Sequence, residues 1–294
     1  MSQVLNPAAI DREAAEARQD PFYYGTRWLP VTAADGSTTY QMVPLSQADF
    51  LDPQEGDQMN QGHLHGLIVT LVVDILRRYF AARADVVVFS DLKFRFGVPG
   101  LAEPAPDVAV VPGIQNPNQE WRSFDVAREG TRPVLIIEVV SKRYRQPDYV
   151  DKPPLYQAAG VAEYLLIDPA AAGAGPMTLT GWRLDPAGHY QAIAPAATGR
   201  LYSQTTDLYF ATAAAGQTVV IEAAGTGERL LSAAEEAHLR RVFQSEAEAA
   251  RQSLQAEAQR RRAAEQRAAA AERELARLQA LLAEKRQANG DDSS

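Results

Sequence analysis

The 294-residue chain has no cysteine, which excludes disulfides and thiolate metal sites and makes a reducing cytoplasm its simplest home. Nor does it have an apolar run long enough to span a bilayer, so no membrane contact is expected. Its opening, "MSQVLNPAAIDREAAEARQD", carries acidic residues where a signal peptide would have an apolar core. G-x-x-x-x-G-K-[ST], G-x-G-x-x-G and G-x-S-x-G are all missing. Nucleoside-triphosphate binding, dinucleotide binding and a Ser-His-Asp hydrolase are therefore without support. A basic surplus is lacking too: the net charge of −8 argues against a protein that coats nucleic acid. That deficit is confined to residues 1–232, because residues 233–294 hold 11 Lys/Arg and 11 Asp/Glu. Within 131–160 the balance reverses, with Arg132, Lys142, Arg143, Arg145 and Lys152 against Glu138, Asp148 and Asp151. A basic patch beside a buried acid is compatible with a phosphate substrate.

What the chain does have is 46% hydrophobic residues, enough for a packed core. Residues 1 to 60, with punctuation such as "QADFLDPQEGDQMNQG", read as an irregular arm and loop. "HLHGLIVTLVVDILRRYFAAR" repeats apolar residues at helical spacing through Leu64, Leu67, Ile68, Leu71, Val72, Ile75, Leu76 and Tyr79. "DVVVFSDLKFRFG" alternates like one strand, and "PDVAVV" is a short second one. "DYVDKPPLYQAAG" has prolines near a helix start and Gly160 at its end, and "VAEYLLIDP" is a strand. Together with "RPVLIIEVVSK" at 132–142 this makes a strand–helix–strand crossover, so the two strands should be parallel neighbours. A hairpin with its turn at Asp185 to Gly188 follows, and "RLYSQTTDLYFAT" and "QTVVIEAA" complete an antiparallel extension.

From 232 the composition turns to Ala, Glu, Arg, Gln and Leu, which reads as one long helix. A heptad register set by Leu275, Leu278 and Leu282 puts Leu254 and Phe243 on the seam, but also Glu257 and Arg261. The helix fits either a weakly specified coiled-coil dimer or a solvated helix held by intrahelical Glu and Arg pairs. The expected domains are an arm over 1–40, the main domain over 41–231, the helix over 232–288 and a disordered tail over 289–294.

The chemistry centres on one carboxylate. Glu138 stands in the middle of a branched aliphatic strand covered on both faces, where a charge is tolerated only if paired, protonated or bound to a metal. Asp107, opening "PDVAVV", is a second acid at a strand position. If neighbouring strands join the two, oxygen ligands at one point favour a hard cation such as Mg²⁺ or Mn²⁺. Such a site activates water and neutralises charge on a phosphodiester. The alternative is a buried ion pair of Glu138 with Arg132 or Lys152 and no chemistry.

Asp107 after Pro106, then Glu138 in an apolar strand, resembles the PD-(D/E)XK nuclease pattern. More closely, "PAPDVAVV", "PVLIIEVVSK", "DKPPLYQAAGVAEYLLIDP" and the Glu/Arg/Ala-rich tail resemble the Uma2 family (DUF820), over residues 40 to 230. The resemblance implies a PD-(D/E)XK, restriction-endonuclease-like α/β fold, a mixed sheet flanked by helices with a β-hairpin extension. It implies a Mg²⁺-dependent endonuclease cutting DNA by metal-activated water, with Asp107, Glu138 and the main-chain carbonyl of Val139 as metal ligands. The E-x-K pattern would place lysine at 140, but this sequence has Val140. Lys152, four residues before Tyr156 as in the family's KxxxY, is the preferred catalytic lysine, and Lys142, which keeps the strand's parity, is the runner-up.

His63 and His65 point about 200° apart on a helix and cannot share a metal; His65 fits the family's helix-opening histidine and either approaches the site or packs at the helix start. Tyr156 reads first as a core aromatic and Ser141 as a cap at the strand end. Arg143 and Arg145 are either phosphate contacts or a solvated loop. The rival function is an inactive nuclease-fold module that binds nucleic acid or protein through its C-terminal helix. A homodimer would form through that helix or through the nuclease-like domain.

Overall fold

The structure is a computed structural model describing residues 15–16, 19–59, 61–141, 143–169, 176–213 and 218–291, with side chains up to 283. Lys142 and residues 292–294 of the expected tail lie outside the described residues. The chain falls into two compact units, Met1–Ala233 and Ala234–Ser294.

The first unit is built on a mixed six-stranded sheet. Its elements are β3 (Val87–Phe89), β5 (Val108–Val111), β7 (Leu135–Val139), β8 (Glu163–Asp168), β9 (Thr178–Leu184) and β10 (Tyr190–Ala192), in spatial order β10-β9-β8-β7-β5-β3. β7 and β8 are parallel, with Leu135 against Glu163, and the other neighbours are antiparallel. The crossover between the parallel pair is a π-helical turn, Pro147–Asp151, running into α4 (Lys152–Ala158). β7 is buried at every position because both sides of the sheet are covered. Leu135, Ile137 and Val139 pack on α2 (His63–Tyr79), whereas Ile136 and Val140 share a core with Leu155 and Tyr156 of α4. Strand alternation thus aims Glu138 toward α4.

Along α2 the buried stripe is His65, Ile68, Val72, Val73, Ile75 and Leu76. Leu64 and Leu67, expected in the core, are exposed. The single strand expected over "DVVVFSDLKFRFG" is two: Asp91 takes a left-handed φ of 52°, which ends β3 and frees β4 (Phe94–Arg95) to pair in parallel with β6 (Phe124–Asp125). A four-residue helix, α3 (Val126–Glu129), follows β6. Beyond β10, β11 (Leu201–Ser203), β12 (Leu208–Thr212), β13 (Val219–Ala223) and β14 (Arg229–Leu230) form a separate four-stranded antiparallel sheet rather than extending the hairpin's own.

The largest departure is at the N-terminus. The expected irregular arm contains β1 (Thr26–Thr32) paired over seven positions with β2 (Thr38–Pro44), and α1 (Gln47–Leu51) capped by a reciprocal Ser46–Asp49 box. The boundary expected at residue 40 falls inside β2.

Gly160, just past α4, has a φ of +72°, and a Cβ there would lie 2.2 Å from Nη1 of Arg132. Gly160→Ala should cost about 1–2 kcal/mol, the left-handed penalty for an L-residue. Urea unfolding of the two proteins is the measurement, and equal midpoints would contradict it.

The second unit consists of α5 (Ala233–Asp291) from its second residue on, a single helix that includes residues 289–291 of the expected tail. Phe243, Leu254, Leu275, Leu278, Leu281 and Leu282 are exposed on it.

Candidate active site

The register of β5 on β7 pairs Val108 with Ile137, and one more step along the antiparallel ladder sets Asp107 opposite Glu138. Both side chains then lie on the face toward α4. The main-chain N–H of Asp107 donates to Oε2 of Glu138 at 3.3 Å, and the amide of Val139 donates to Oδ2 of Asp107 at 2.8 Å. His65 Nε2 lies 2.9 Å from the same Oδ2, placed there by the buried stripe of α2.

From the other side, α4 delivers two groups to Oε1 of Glu138. The Tyr156 hydroxyl donates to it at 2.7 Å, and Lys152 Nζ lies 3.1 Å away. Lys152 also meets Oδ1 of Asp148, one turn back, at 2.7 Å. Glu138 is 1% exposed, Asp148 4%, Lys152 7% and Asp107 8%.

Three buried carboxylates around one ammonium leave negative charge in excess, and the protonation equilibria reflect it. Burial pushes Glu138 up to about 8; Lys152 opposes this, while Asp107 and Asp148 reinforce it. Burial likewise raises Asp148 to about 6, against the pull of Lys152. Asp107 is also penalised by burial, but the hydrogen bond and charge of His65, the charge of Lys152 and the Val139 amide outweigh it and hold it below the usual aspartate range. Burial lowers Lys152, yet the charges of Asp148, Glu138 and Asp107 prevail and raise it above an ordinary lysine. The two acids that face one another are thus driven apart, one ionised and one ready to hold a proton.

Of the sequence candidates, Asp107, Glu138, Lys152, His65 and Tyr156 converge. Arg132, a rival partner for Glu138, bonds instead to the carbonyl of Ala159. Ser141 caps the turn after β7, its Oγ accepting from the amide of Tyr144 at 3.2 Å. Arg143 pairs with Asp20, and Arg145 holds Asp168 through two nitrogens, so both arginines are engaged by carboxylates.

Two features were not anticipated. Asp148 entered only the local charge balance and was not chosen as a site residue, although an acid four residues before a lysine at a helix start is a spacing that joins the two side chains. The N-terminal elements form part of the surroundings: Tyr23, Phe50 and Tyr144 pack together, the Phe50 ring lies 5.7 Å from Lys152 Nζ, and Gln47 donates to Asp151 at 2.6 Å. Lys93 is tied to Asp52 at 2.6 Å.

Among the described residues no group of three or more His, Asp or Glu side chains is disposed to hold a metal ion. The side-chain donors are the pair Asp107 and Glu138. That pair still fits Mg²⁺, which is commonly bound through one or two carboxylates with waters and phosphate completing the shell. The unbalanced buried charge is what such a cation would neutralise.

The mixed sheet sets two acids face to face and the crossover helix supplies a lysine beside them, which makes this an α/β protein with a site of two carboxylates and one lysine. The Uma2 family model, described as "Putative restriction endonuclease", matches residues 55–211. The match spans more than half of the chain, and the chain belongs to the Uma2 family. It is also similar to a crystal structure described as "a putative nuclease belonging to DUF820" from Anabaena variabilis, at 15% identity and a TM-score of 0.39, covering 66% of this chain and 89% of that one. No curated protein matches it. No helix among the described residues is long and apolar enough to cross a membrane.

Proposed function

We propose that this protein is a divalent-metal-dependent endonuclease that hydrolyses phosphodiester bonds of DNA. The observation that carries the reading is the meeting of Asp107, Glu138 and Lys152 at one buried point between β5, β7 and α4. Asp107, Glu138 and the carbonyl of Val139 would hold the ion. Mg²⁺ or Mn²⁺ bound there would supply Lewis-acid stabilisation of the phosphate and a more acidic water.

The remaining roles belong to the chain. His65 and the Val139 amide fix the Asp107 carboxylate, and the Tyr156 hydroxyl fixes that of Glu138. Lys152, its ammonium placed between Asp148 and Glu138, would act as a positive donor toward developing charge on the phosphate.

The test is incubation with plasmid and with single- and double-stranded oligonucleotides in Mg²⁺, Mn²⁺ or EDTA. Cleavage that needs the metal is expected, and its absence on every substrate would sink the reading. The near-complete burial of Glu138 and Lys152 favours a second reading, an inactive nuclease-fold module acting in binding through its C-terminal helix. Calorimetric titration with Mn²⁺ separates them: the nuclease should bind the ion and lose that binding in Glu138→Ala, whereas an inert fold need not bind it at all.

A further inference from the structure

We propose that Asp148 is a positioning residue whose carboxylate, taking no part in metal binding, anchors the ammonium of Lys152 beside Glu138. The inference rests on the nuclease reading above and assigns a task to the third carboxylate around Lys152, which that reading leaves unused.

The nearer partner of Lys152 is Asp148, at 2.7 Å, and not Glu138, at 3.1 Å. Asp148 is held rigidly. Pro147 begins the π-helical turn, the Tyr164 hydroxyl donates to the main-chain carbonyl of Asp148 at 2.8 Å, and Tyr164 is itself fully buried in the sheet. As a contribution to stability alone, this carboxylate is a poor choice. It lies close enough to Glu138 and Asp107 to repel them, and a buried ion pair can usually be replaced by apolar side chains at little or no loss.

Its value emerges once Glu138 serves a divalent cation. The ion takes the charge of Glu138, and a lysine sharing that carboxylate is then repelled by the ion. Lysine has a flexible four-carbon stem and a compact charge, so a weakened partner lets it swing away. Asp148 supplies a second negative group on the same helical turn, at i and i+4, that the ion does not claim. The ammonium then keeps its place whether Glu138 is protonated, ionised or ligating, with the Phe50 ring bounding its other side.

The experiment compares wild type, Asp148→Asn, Asp148→Glu, Lys152→Met and the double variant Asp148→Asn/Lys152→Met. Acylation of lysines by an N-hydroxysuccinimidyl ester is followed by mass spectrometry, with and without Mn²⁺, alongside turnover. The chain has four lysines, so Lys93, Lys142 and Lys285 serve as internal references. In Asp148→Asn, acylation of Lys152 should rise about tenfold in Mn²⁺. Turnover should fall about 10- to 100-fold at unchanged KM, the usual scale for groups that orient a reacting one. Asp148→Glu should recover most of it, and in the Lys152→Met background Asp148→Asn should cost nothing more.

Unchanged acylation of Lys152 in Asp148→Asn overturns the proposal, as does an equal loss of turnover in both backgrounds. Should the wild type cut nothing, the nuclease reading fails separately, and acylation alone decides what Asp148 does. Should Asp148→Asn fail to fold, Tyr164→Phe keeps the carboxylate but frees its turn. A two- to threefold faster acylation of Lys152 then supports the anchor, and no change overturns it.

Discussion

Replacing Glu138 with Gln is expected to abolish cleavage and, in the same protein, to raise the melting temperature of the metal-free form. The loss of turnover should reach at least about 10³-fold, the scale seen when a group on which the rest of a site depends is removed. The gain in stability follows from the sign of the shift. Glu138 is raised from 4.5 to about 8, first by burial and then by Asp107 and Asp148. An acid whose folded value is raised loses stability as pH climbs from the unfolded value through the folded one, because the folded state resists ionisation. Glutamine has no proton to lose, so the variant's advantage should be small near pH 5 and largest above the value of about 8. Scanning calorimetry in EDTA across that range is the measurement. A variant that is inactive and also less stable at every pH would mean that Glu138 is a structural ion-pair partner of Lys152. A variant that still cuts would remove Glu138 from the site altogether. A stabilised, inactive protein is the outcome expected of a group kept for function at the expense of the fold.

Glu138 could be found without a structure because a carboxylate inside "VLIIEVV" contradicts its surroundings, and the contradiction has few physical resolutions. The parallel pairing of β7 and β8 was equally visible, since a strand, a proline-started helix and a strand leave little choice of connection. Asp107 needed the further inference that β5 and β7 are neighbours, and Lys152 was reached through a resemblance, because Val140 occupies the position where strand geometry would look for a lysine. The N-terminal region was illegible for a physical reason. β1 and β2 form an isolated pair with most side chains exposed on both faces, so no alternation of apolar and polar residues marks them. α1 is five residues long, too short for a periodicity, and only its Ser46-x-x-Asp49 box announces it. Arg143 and Arg145 show the limit of reading charge from sequence. The carboxylate that holds Arg143 is 123 residues away, and a local excess of cations says nothing about such distant partners.

Glu163→Ala should destabilise the fold by about 3–5 kcal/mol, the range for stripping a buried charge from its partners, while leaving the catalytic residues untouched. Glu163 begins β8 and is fully buried. Its Oε1 accepts from Nε of Arg183 at 2.7 Å and from the amide of Gln204 at 2.9 Å; its Oε2 accepts from the hydroxyls of Ser203 and Thr205, each at 2.6 Å, and from the amide of Thr205 at 3.1 Å. Arg183 belongs to β9, while Ser203 ends β11 and residues 204–205 open the turn after it, so one carboxylate links the six-stranded sheet to the four-stranded one. Truncation would leave all five donors facing a void. Burial pushes Glu163 up, but the hydroxyls of Ser203 and Thr205, the Arg183 guanidinium and the Gln204 amide outweigh it and hold the carboxyl below the ordinary value of 4.5. A lowered folded value means that the stability is fully present above 4.5 and is lost as pH falls through the folded value. The gap between wild type and Glu163→Ala in urea should therefore be widest at neutral pH and should close progressively below 4.5. A gap that stayed constant into acid would assign the loss to the missing side-chain volume. One that closes assigns it to the charge, so that an ionised residue adds to the apolar packing and the Arg183–Tyr202 hydrogen bond that also join the two sheets.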